Sequence, residues 1–78
     1  MKKTLKSMYN NQLADKIEQE FGIAGLLQFS KIEAFKYEQL AEHYFSENEA
    51  DLYQEALYEK EWWATKHHTL KQSIKKML

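Results

Sequence analysis

The chain has no proline and only two glycines, at positions 22 and 25, in 78 residues. Helices can therefore run long, because the residues that most often end them are almost missing. Strands are disfavoured as well. Valine is absent, and the β-branched residues are seven: Thr4, Ile17, Ile23, Ile32, Thr65, Thr69 and Ile74. Strong helix formers fill the remainder, and a chain of this length supports one core, so a single helical domain over residues 1–78 is expected.

Two places carry punctuation. In Phe21-Gly22-Ile23-Ala24-Gly25, Gly22 can take the left-handed conformation past a helix end, with Ile23 supplying the hydrophobic contact. In Ser46-Glu47-Asn48-Glu49 the spacing fits a capping box, with the Ser46 hydroxyl accepting from the Glu49 amide. The expectation is an all-α three-helix bundle with helices at about residues 4–21, 25–45 and 47–77, the last one long.

Apolar periodicity gives each helix a face. The first carries a narrow stripe of Leu5, Met8 or Tyr9, Leu13, Ile17 and Phe21. The second is apolar around much of its circumference, with Leu26, Phe29, Tyr37, Leu40, Ala41 and Tyr44 on one face and Ile32 and Phe35 to the side. The third places Leu52, Ala56, Glu59, Trp63, Lys66, Leu70, Ser73 and Met77 at alternating four- and three-residue steps, a heptad seam with polar interruptions. At ~1.5 Å per residue an unbroken third helix would outrun the first two by several turns. An overhang bearing Leu70, Ile74, Met77 and Leu78 calls for another surface, and a second copy is the simplest one. Trp63, Leu70, Ile74 and Met77 are therefore the expected dimer interface. The competing expectation is a bend at Thr65-Lys66-His67-His68-Thr69 that folds the tail back.

Charge is segregated along the chain. All eleven basic residues are lysine, against twelve carboxylates, for a net charge of −1. Residues 1–16 carry +3, residues 17–61 carry −8 and residues 62–78 carry +4. Within the third helix, acids at the start and lysines at the end complement the helix dipole, which explains part of the pattern.

The remaining acidic belt constrains function. Without arginine the chain lacks the usual bidentate reader of bases and phosphates, and the belt would repel a duplex. A nucleic-acid regulator using Lys66, Lys71, Lys75 and Lys76 is accordingly the alternative reading. A helix-turn-helix fits poorly, since Glu18 rather than a small residue stands four before Gly22. With no cysteine there is neither a disulfide nor a thiolate site, and no long apolar run suggests a leader or membrane span. The cytoplasm is the expected location.

Motifs for chemistry are sparse. No Glu-x-x-His step supports a di-metal cage, and His43, His67 and His68 lack the further ligands of a standard metal site, so solvated histidines and no cofactor are expected. Glu33 and Glu59 lie on apolar faces, where carboxylates either perform acid–base work or make a buried hydrogen bond. A partner such as Lys66, Tyr37, Tyr44 or a histidine would fit the second role. Trp62 and Trp63 point about 100° apart, so if Trp63 is core, Trp62 joins Tyr58 on a lateral strip of residue types favoured in binding hot spots.

These features point to a non-enzymatic protein-interaction module acting as a regulator, inhibitor or adaptor. Its expected contacts are Tyr58, Trp62, Glu55, Glu49 and Asp51, its partner a protein with a basic surface, such as one that handles nucleic acid, and its state a homodimer.

Overall fold

The computed structural model describes residues 2–77, with side chains from Met8 onward, so Leu5 and Leu78 of the expected apolar sets lie outside the described side chains. The chain is all helical, but it forms two helices where three were expected: α1 spans Lys2–Ser46 and α2 spans Ala50–Met77. The difference lies at Gly22. Its φ of 77° and ψ of −179° kink α1 within a single residue, so the first two expected helices are two arms of one element, with no loop between them. A straight helix of 45 residues would be about 68 Å long, whereas the longest dimension of the molecule is 44 Å, so α1 folds back on itself there. Only glycine readily adopts this combination of φ and ψ.

Ala14 of the first arm, Leu26 of the second and Trp63 of α2 form the centre of the core, each no more than 1% exposed. Leu13, Ile17, Phe29, Tyr37 and Leu70 pack around them. Small residues are prominent among the buried positions, which include Ala14, Ser30, Ala41 and Ala56. Phe29 meets the Trp63 ring edge-on at 5.3 Å, a favoured aromatic geometry.

Contacts fix the register. Asn10 meets Glu59 and Ala14 packs with Trp63, which sets the first arm parallel to α2, while Phe45 meets Tyr53 and both Ser30 and Leu27 meet His67, which sets the second arm antiparallel to it. Continuing that antiparallel register brings Ile74 level with Ile23, beside the kink. Only the last turn of α2 extends farther, so the expected overhang of several turns is absent. Nor does α2 bend at residues 65–69, which remain helical.

The turn between the helices also departs from expectation. Asn48 adopts a left-handed conformation, with φ of 58°. Its amide donates to the Phe45 carbonyl at 3.2 Å, and the Glu49 amide donates to the Tyr44 carbonyl at 2.9 Å. This is a Schellman closure, with asparagine in the place glycine usually takes. The Ser46 hydroxyl donates to the His43 carbonyl at 2.8 Å, and the capping box does not form. The first α2 bond runs from the Tyr53 amide to the Glu49 carbonyl at 2.9 Å.

Candidate functional site

Two surface features gather the chemically distinctive side chains. The larger is a groove of about 540 Å³ between both arms of α1 and α2, where Asn10, Glu33, Lys36, Tyr37 and Glu59 meet an aromatic wall. It contains both carboxylates that stood out on apolar faces. Glu59 is buried, and both its oxygens accept from the Asn10 side-chain amide, at 3.1 and 3.3 Å. Neither Lys66 nor a tyrosine or histidine is the partner in that bond. Asn10 was legible only as a polar residue one turn before Ala14 on the buried stripe, a position that requires a partner.

Glu33 forms an ion pair with Lys36 one turn along α1, at 3.1 Å. The Lys36 ammonium also lies 4.7 Å from the centre of the Tyr37 ring. Burial pushes the Lys36 pKa down, but the hydrogen bond and charge of Glu33, aided by Tyr37 and Glu59, carry it above the ordinary lysine value. Burial raises the Tyr37 phenol; Lys36 opposes the shift, and Glu59, Glu33 and Tyr9 reinforce it. The groove thus holds one polar bond that joins the first arm of α1 to α2 and one ion pair within the second arm.

The second feature is on the outer face of α2. Tyr58, Glu61, Trp62, Thr65, Lys66 and Thr69 surround a shallow depression of about 430 Å³. Tyr58 and Trp62 are half-buried, and Trp62 also touches Trp63 edge-on at 4.8 Å. Glu55 is exposed one turn earlier, while Glu49 and Asp51 are exposed at the interhelix turn and the start of α2. The five expected partner contacts therefore extend along one end of α2 and do not form a compact cluster.

The residues expected at a dimer seam face mostly inward. Trp63 is 1% exposed in the core, Leu70 packs against that core, and Ile74 is half-buried beside the kink. Only Met77 of that set is largely exposed. Their seam is occupied by α1, which is why it is apolar. Lys71, Lys75 and Lys76 are exposed on the last turns of α2, and Lys66 is half-buried beside Trp62.

The histidines separate into two environments. His43 and His68 are exposed, but His67 is half-buried, contrary to the expectation of a solvated ring. Its Nδ1 lies 3.0 Å from the Leu27 carbonyl and 3.4 Å from the Ser30 hydroxyl. A carbonyl can only accept, so Nδ1 carries the proton and the ring links α2 to α1. No cluster of three or more potential metal ligands occurs among the described residues. None of the described helices is long and apolar enough to cross a membrane.

No family model matches the sequence, and no significant match to a curated protein or to a solved structure was found.

Proposed function

We propose that the chain is a non-enzymatic helical interaction module that acts as a regulator, inhibitor or adaptor by covering a protein surface. The observation that carries this reading is the pair Tyr58 and Trp62, half-buried beside one another on the outer face of α2. Tryptophan and tyrosine offer large contact area with little side-chain entropy to lose, and they are enriched among residues that dominate binding energy. Glu55 and Glu61 border the pair, and the acidic middle of the chain favours encounter with a basic protein surface. The internal engagement of Glu59 by Asn10 and of Glu33 by Lys36 supports a structural role for both carboxylates.

Affinity capture from the native cell, comparing the wild type with Tyr58→Ala and Trp62→Ala, tests the reading. Proteins retained by the wild type and lost with both variants would support it. Unchanged retention would remove this face from consideration. Binding of a random DNA duplex that weakens steeply with salt and depends on Lys66, Lys71, Lys75 and Lys76 would instead favour the nucleic-acid alternative.

A further inference from the structure

We propose that the occupant of the outer α2 face is a second copy of the chain, packed in antiparallel orientation. The proposal rests on reading that face as a protein-binding surface, and it names the partner. A strip along one side of α2, with Trp62 half-buried against Trp63, runs from Asp51 to Lys76 in alternating steps of four and three. That is the spacing of a two-helix seam, and here it is the same when read from either end.

Reversal makes the strip complementary to itself. With Trp62 opposite Thr65 of the second copy, Tyr58 falls opposite Thr69, Glu55 opposite Gln72 and Asp51 opposite Lys76. The central layers each pair a large aromatic with a small threonine, so the rings enter space that the smaller side chains leave. The end layers pair a carboxylate with an ammonium, twice by symmetry. On the flank, where like edges meet in an antiparallel pair, Glu61 faces His68 and Gln54 faces Lys75.

A parallel pair on the same strip loses these complements. Asp51 would face Asp51, Lys76 would face Lys76, and Trp62 would meet Trp62. Antiparallel alignment also sets the acidic start of each α2 beside the basic end of the other, so the helix dipoles attract. The face is accessible for this contact, since Asp51, Thr65, Thr69, Gln72 and Lys76 are exposed. The seam is new relative to the inward-facing Trp63 and Leu70, and it forms one closed two-fold pair.

The absence of cysteine makes the register directly measurable. Glu55→Cys and Gln72→Cys place thiols 17 residues apart on α2, about 25 Å along one helix, but opposite one another between copies. Helix content by circular dichroism confirms that each variant is folded. Light scattering on the wild type should show mass rising with concentration to that of a dimer. An equimolar mixture of the two variants should cross-link with a short bis-maleimide, whereas either variant alone should not. Asp51→Lys should weaken the dimer several-fold, and adding Lys76→Asp should restore it.

Each contrary result overturns the proposal. Monomeric mass at all concentrations excludes the dimer. Cross-linking of either variant alone indicates a parallel pair, and a dimer whose mixed variants fail to cross-link uses another face. A monomer that still retains a different protein through Tyr58 and Trp62 would overturn the self-association and leave the interaction reading standing.

Discussion

The side-chain amide of Asn10 holds the carboxylate of Glu59 across 49 residues of sequence, joining the first arm of α1 to α2. Removing the donor leaves buried carboxyl oxygens without a hydrogen-bond partner, which costs about 1–3 kcal/mol. Asn10→Ala should therefore lower the free energy of unfolding by that amount in urea titrations. Replacing both residues with leucine should recover most of the loss, because an apolar pair leaves no unsatisfied group.

Gly22 has open space around it but a backbone conformation that other residues resist. Gly22→Ala should destabilise by about 1–3 kcal/mol through backbone strain alone. Gly25 presents the opposite case, since an added Cβ would collide with the Cβ of Phe21 although its φ is unremarkable. Calorimetry should show both substitutions lowering the melting temperature. A truncation of Phe21 to glycine should rescue only Gly25→Ala.

Asn48 closes the turn in the left-handed region, where a side chain with a Cβ is disfavoured by roughly 1–2 kcal/mol and asparagine is tolerated better than most. Asn48→Gly should leave stability unchanged or raise it by about a few tenths of a kcal/mol. Asn48→Ala should lower it by about 1 kcal/mol. Ser46→Ala should matter less, since its hydroxyl serves only one exposed carbonyl at the end of α1.

Lys36 and Tyr37 both hold their protons more tightly in the fold than in the unfolded chain. The unfolded chain therefore binds fewer protons once pH rises through 10, and the stability these groups contribute is lost above that point. Thermal melts between pH 8 and 11.5 should fall most steeply at the alkaline end. Tyr37→Phe should flatten the fall, since a phenyl ring cannot ionise.

Much of the helical architecture is legible in local pattern: the missing proline, the scarcity of β-branched residues and the stripes around Leu13, Leu26 and Trp63 all depend on near neighbours in the chain. The turn is local too, but two hydrogen-bonding schemes competed there. The hydroxyl of Ser46 could serve a capping box or the carbonyl of His43, and the left-handed backbone at Asn48 decides for the second. The kink replaces an expected loop because one glycine suffices to reverse the chain, and a loop cannot be distinguished from a one-residue break by periodicity. Its consequence is that α2, at 28 residues, faces a second arm of 24 residues instead of the shorter helix expected. The bond between Asn10 and Glu59 was hidden for a different reason, since the partner of a polar residue on a buried stripe depends on how distant arms align.

The small buried residues set an upper bound on size rather than a requirement for particular chemistry. Ala14, Ser30, Ala41 and Ala56 are buried between the packed helices, so a substitution that adds volume at any of them must push a whole arm outward. Under random mutation, tolerance in this chain should therefore be lowest at its least conspicuous positions: exposed Ile32 and Phe35 can shrink freely, while a buried alanine cannot grow.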